Sequence, residues 1–242
     1  MKSAITNLKA RLDVLQNPYL KTLREGSFSR EDFIETQIQF LFAVVFFSRP
    51  MMVLAGRMGR NEHRTALLEN VFEEHGEGNL SVSHERTFLQ LLERLGVNHN
   101  HIESRAEWPE VRAFNTVLAG VCMLDDLYTA QATLGIIEDL FSTISADIGH
   151  SILSRGWLGP DEIIHYATHE TLDIEHAEGF YAPLYQAWQR HPRHAYQIQQ
   201  GLELGAHIFL TMYEHLHRHR SRRWARPVKG PHSLADGWHL DG

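Results

Sequence analysis

The sequence predicts an all-α protein on three observations. Apolar residues recur with the 3.6-residue period of helices along most of the chain. The period-2 alternation of β-branched residues that marks strands is nearly absent. Short glycine- and proline-bearing stretches divide the helical pattern into segments of ordinary helix length. With 242 residues, 43% of them hydrophobic, the chain can bury one sizeable core, so a single helical domain is expected over 1–219.

Taken in order, helices are expected to begin near Ile5, Pro18 and Arg30. The third is the best marked: Ser29, with Asp32 three residues on, forms a capping-box pattern ahead of "FIETQIQFLFAVVFF", and Pro50 is expected to bend or break it. Further helices are expected near 61–75, 80–95, 109–123, 126–154, 160–190 and 193–218. Gly76/Gly78, Gly96 to Asn100, Leu124/Asp125 and Gly156/Gly159/Pro160 separate them. From about Arg220, Pro, Gly and mixed charges predict a tail with little regular structure over 220–242.

Composition narrows the function. A formal charge of -7 leaves nothing globally basic to recruit nucleic acid. The longest apolar run, "FLFAVVFF" at 40–47, suits a buried helix rather than a membrane span, and the N-terminus lacks the apolar core of a signal peptide, so no membrane association is expected. A single cysteine, Cys122, excludes a disulfide framework and a Cys-based zinc cluster and makes a cytoplasmic location the default. Histidine is abundant, with 17 residues, but many are scattered or lie in "EHLHRHRSRRW", so position must decide what they do.

One stretch, "HETLDIEH", has the right positions. On a helix, His169, Asp173 and His176 share one stripe, and three metal-competent side chains on one stripe argue against an ordinary solvated face. His165 falls on the same stripe and is the nearest decoy. Glu138 lies inside the apolar face formed by Leu134, Ile137, Phe141 and Ile144, where a carboxylate must protonate, pair with a cation such as a core arginine, or bind metal. In "VFEEHGEGNLSVSH", Glu74 and His84 would point about 80° apart on a straight helix, but Gly76 and Gly78 permit a turn that lets them converge. Three carboxylates and three histidines are the donor inventory of a dinuclear iron or manganese site. The arrangement is not ferritin-like, because the one Glu-x-x-His, Glu214 to His217, stands alone beside the basic tail and reads as surface.

With these motifs in place, Glu74, a glycine-containing link, His84, Glu138 and then His169-x3-Asp173-x2-His176, the sequence resembles the haem-oxygenase-like diiron oxidases and oxygenases. The resemblance implies a seven-helix haem-oxygenase-like bundle, two Fe(II) (or Mn) held by those six residues, O2 as co-substrate and a role in natural-product biosynthesis. Glu138 is the expected bridging carboxylate. Relatives that oxygenate nitrogen carry an additional acid near the end of the helix preceding Glu74, where this chain has Ser48; the helix after Glu138 lacks the lysine of the aminobenzoate-forming type. The remaining implication is oxidation of an amino-acid-like, possibly aromatic substrate by desaturation, C–C cleavage or rearrangement, nitrile formation being one form. N-oxygenation of an amine, oxidative decarboxylation of a fatty acid, and a non-enzymatic metal-binding or interaction protein are the alternatives. An external reductant is expected, and a homodimer is compatible with the chain. For the substrate, the segment carrying Phe40, Phe42, Phe46, Phe47, Met51 and Met52 is expected to line an apolar pocket, one of Arg49, Arg57 and Arg60 to clamp a carboxylate, and Glu35 to receive an ammonium.

Overall fold

A computed structural model describes residues 1–227. Among them it contains ten α-helices: α1 (Lys2–Leu12), α2 (Pro18–Arg24), α3 (Arg30–Arg57), α4 (Asn61–Glu74), α5 (His84–Arg94), α6 (His99–Glu103), α7 (Pro109–Leu124), α8 (Leu127–Ser154), α9 (Ile164–Arg190) and α10 (Pro192–Arg218). The all-α expectation holds, while the count of seven does not. One reason is local: Asn98 accepts a hydrogen bond from the amide of His101 and starts the short α6 inside the stretch expected to be a breaker.

Several ends follow their sequence signals. The Ser29 side chain accepts from the Asp32 amide at 3.0 Å, as the capping pattern predicts. Pro50 does not end α3, which continues to Arg57. The expected helices at 80 and 160 start later, because Leu80–Val82 and Pro160–Glu162 form tighter 3-10 turns first.

α8 is the central helix. It is buried continuously from Thr129 to Glu138 and packs against α9, α10 and α7. Its crossing with α10 is close: a Cβ on Gly205 would come within 2.5 Å of Thr133 O, so only glycine permits this approach. α3 packs against α7, α4 and α5. It is the one helix among the described residues long and apolar enough to span a bilayer, and 61% of that apolar window is buried inside the bundle. Cys122 is buried, and burial pushes its thiol up to about 12.

The expected irregular tail is only partly described. Residues 220–227 carry no helix but are pinned: Ala225 forms an isolated antiparallel bridge with Arg105, and the Ala106 amide donates to Trp224 O at 2.9 Å. Arg222 pairs with Glu110 at 2.9 Å and Arg223 with Asp32 at 2.7 Å. Residues 228–242 lie outside the described residues.

Candidate metal centre

The site is assembled from four helices. α9 runs without interruption through 169–176, so the spacing of His169, Asp173 and His176 becomes one inward stripe. α8 is buried on nearly every side at Glu138, so this carboxylate has nowhere to go but inward. α4 ends at Glu74, and the chain reverses through Gly76, whose φ of +73° is left-handed and whose added Cβ would meet Ser83 N at 2.8 Å. Ser83 then caps α5, whose first residue is His84. The glycine turn thus brings Glu74 and His84 together, with Oε1 to Nδ1 at 2.9 Å.

All six residues are buried. Asp173 Oδ1 lies 2.7 Å from His169 Nδ1 and 3.9 Å from His176 Nδ1, which is itself 3.9 Å from Glu138 Oε2. Glu138, Asp173 and His176 each offer a donor atom within 4.8 Å of the other two. The second trio, Glu74, His84 and His169, is joined by the Glu74–His84 pair and by imidazole rings 4.4 Å apart.

Two features of the donors fit a bound cation. First, His169 Nε2, His176 Nδ1 and Asp173 Oδ2 are buried without a hydrogen-bond partner, an arrangement that is costly unless something else completes it. Second, no lysine or arginine among the described residues balances Glu138 or Asp173. Burial and then the neighbouring Asp173 push the Glu138 carboxyl well above its usual range, and burial and then Glu74 do the same to Asp173. Burial and the neighbouring His84 hold His169 well below the usual imidazole value, and so leave it neutral and able to ligate. Burial alone would raise Glu74 and lower His84, but their mutual attraction outweighs it, lowering Glu74 and raising His84.

The donors border a cavity of about 40 Å³ whose wall includes Phe40, Phe47, Phe114, Phe141 and Phe209 along with Glu74, His84, Glu138 and His169. α3 presents Phe40, Ala43, Val44 and Phe47 to it, the i, i+3, i+4, i+7 face. Of the expected apolar segment, Phe40 and Phe47 line the cavity. Phe42 and Phe46 lie off that face; Phe42 is buried elsewhere, and Phe46 is half-buried. Arg57 is engaged with the end of α7, donating to Cys122 O at 2.7 Å and also to Asp125 O. Glu35 is held by Arg105 at 2.9 Å and faces Arg223 at 3.5 Å, so it is not open to an ammonium. Arg49 is half-buried and does not line the cavity; neither does Ser48, and the α3 face offers no acid at all.

Sequence reasoning missed Glu73 and took His165 only as a decoy. Glu73 Oε2 bonds to His176 Nε2, a contact invisible beside the equally acidic Glu74. His165, the decoy on the stripe, lines the cavity; its Nδ1 meets the Thr87 hydroxyl at 3.0 Å, and its ring packs against Phe88 at 4.8 Å. Glu214 is exposed, while His217 is half-buried against the Phe28 ring at 5.8 Å.

An all-helical bundle with a buried carboxylate–imidazole cluster in its centre has the donors that could hold a metal ion. Residues 35–209 match the family described as iron-containing redox enzymes, and the chain belongs to that family. Solved structures share the fold. One is a domain of unknown function with a haem oxygenase-like fold from Shewanella denitrificans, 13% identical with TM-score 0.74, covering 91% of each chain. Another is a CADD-like protein of unknown function from Nostoc punctiforme, 17% identical with TM-score 0.72, covering 90% of this chain and 96% of that one. A third is a TenA homolog from Pseudomonas syringae, 16% identical with TM-score 0.68, covering 88% and 89%. No functionally curated protein matches the chain.

Proposed function

We propose that this protein is an O2-dependent nonhaem diiron oxidase that acts on an amino-acid-like substrate with a bulky apolar body, by desaturation, C–C cleavage or rearrangement. The observation that carries the reading is the convergence of six buried donors, three with orphaned atoms, four of which line a phenylalanine-walled cavity. Membership of an iron-containing redox family supports it. Glu138, Asp173 and His176 would hold one iron and Glu74, His84 and His169 the other, with Glu138 set at the junction for bridging. Bound there, the irons would supply the reduction of O2 that unaided side chains cannot.

The chain's own residues do the rest. Three anionic ligands offset most of the charge of two divalent ions, while neutral His169 donates without adding charge. The phenylalanine wall excludes water and takes the apolar body of the substrate, placing its C–H bonds beside the metals. Because no arginine among the described residues lines the cavity, the polar head of the substrate must face the metals rather than a guanidinium clamp. With room for only about 40 Å³, a bulky substrate enters by turning phenylalanine side chains aside. Desaturation removes two electrons whereas reducing O2 to water takes four, so an external reductant would supply the remaining pair; conversion of an amino acid to a nitrile and CO2 releases all four.

The unbroken apolar wall favours a second reading, a fatty acid whose carboxylate meets the metals. O2 uptake by Fe(II)-loaded protein separates the two. The first reading expects aromatic amino acids to accelerate uptake and to leave as dehydrogenated, cleaved or nitrile products. Acceleration by lauric acid alone would replace it with the second, and uptake indifferent to both would remove the enzymatic reading.

A further inference from the structure

A second recess, of about 600 Å³, lies where the first turns of α4, α8 and α10 meet the end of α9. Its rim carries Arg60 and His63 at the start of α4, Arg190 at the end of α9, and Arg193 and His194 in the first turn of α10. One carboxylate stands among them, and it is already spent. Asp126 Oδ1 accepts from the amides of Tyr128 (2.9 Å) and Thr129 (3.0 Å), and Oδ2 from the Thr129 hydroxyl (2.6 Å). The N-termini of α4 and α10 add partial positive charge to the same space, while that of α8 is met by Asp126.

The arginines here are lightly committed. Arg60 faces only the exposed Glu62, at 3.8 Å; Arg190 donates to Gln186; Arg193 has no ion pair among the described residues. The arginines after α10 are the contrast, because Arg220, Arg222 and Arg223 are tied to Asp32, Glu110 and Glu35. The sequence is more basic at 218–223, but the unbalanced charge lies in the cleft. The His194 ring packs on Tyr128 at 4.7 Å, and its Nδ1 is buried without a partner. Met58, Leu127 and Ala187 complete an apolar side to the cleft. Its inner end runs into a narrow recess that shares His63 and Gln131 with it and ends at His176.

We propose that this cleft binds an organic phosphate monoester, its phosphate on Arg60, Arg190 and Arg193 and its organic group on the Tyr128–His194 side. Three guanidinium groups call for a dianion, whereas a single carboxylate would leave two of them unbalanced. The planar guanidinium fork matches phosphate oxygens in bidentate fashion. The cleft is separate from the phenylalanine-walled cavity, so the inference does not depend on what the metal centre does.

Calorimetry on the full-length protein with phenyl phosphate, benzoate and phenol tests it. Phenyl phosphate should bind saturably and more weakly at higher salt, because exposed charges are screened. Benzoate and phenol should bind at least tenfold more weakly. Arg60→Gln/Arg190→Gln/Arg193→Gln should weaken phenyl phosphate binding at least tenfold, and Arg193→Gln alone gives the same direction if the triple variant folds poorly. Amides of 58–63, 126–131 and 187–197 should slow their hydrogen exchange on binding. Absence of saturable binding, equal affinity for benzoate, or unchanged binding in both variants overturns the proposal. So does loss of binding in His169→Ala alone, which would place the anion at the metal centre.

Discussion

At the scale of single residues, His176 shows how the centre is set. Its Nε2 is occupied by Glu73, which leaves Nδ1 facing Glu138 and Asp173 without a hydrogen-bond partner. A carboxylate on the far nitrogen of a ligating histidine fixes its tautomer and raises its basicity. Glu73→Gln is therefore expected to weaken iron binding about 10- to 100-fold without unfolding the protein, the range for such outer partners; an unchanged iron titration with unchanged melting would contradict this. His169→Ala, Asp173→Ala and Glu138→Ala should each lower iron stoichiometry, whereas His165→Ala and His217→Ala should not. Iron loss from His165→Ala together with retention in His169→Ala would move the ligand register by one turn. The α9 stripe was legible in the sequence because helical periodicity alone fixes which residues share a face. Glu73 was not, since periodicity cannot say which of two adjacent acids meets a histidine on another helix. Phe42 and Phe46 failed for a related reason: the phase of α3 relative to the cavity is set by its packing on α7, α4 and α5.

At the scale of elements, the link from α4 to α5 is where order is expected to depend on metal. It contains a left-handed Gly76, a left-handed Glu77 at φ 52° and two 3-10 turns, all poor intrinsic structure. What holds it shut is the Glu74–His84 pair, which a bound cation would tie to two other helices, α8 and α9. Amides of 71–84 should therefore exchange more slowly after Fe(II) is added, by mass spectrometric hydrogen exchange; equal rates would remove the coupling. The start of α7 offers a pH-dependent element. Glu107 Oε1 accepts from Asn115 at 3.2 Å, but Oε2 is buried without a partner, and burial raises its carboxyl to about 7 despite Arg112. A raised acid pKa means that the folded state holds the proton more tightly than the unfolded one. Its contribution to stability is complete below the unfolded value near 4.5 and is lost as pH rises through about 7. Between pH 5 and 8 the melting temperature of the wild type should fall more than that of Glu107→Gln. Parallel melting curves would show that this carboxyl is open to solvent.

At the scale of the whole molecule, α8 is the axis on which the site is built, and its burial on nearly every side explains both the fold and the inward Glu138. The helical class and most helix positions were legible because periodicity and caps act locally. The number of helices was not, because α6 and the 3-10 turns arise within stretches whose composition reads only as interruption. The glycine turn between Glu74 and His84 was legible as permission to converge, while the convergence itself comes from tertiary packing. All six proposed ligands meet in one buried cluster, and its two trios are the basis for assigning two metals rather than one. The most direct test is an anaerobic Fe(II) titration followed by Mössbauer spectroscopy of the oxidised protein. Two irons per chain, coupled into a diamagnetic ground state, are predicted; saturation at one iron, or an uncoupled ferric signal, would contradict the dinuclear centre.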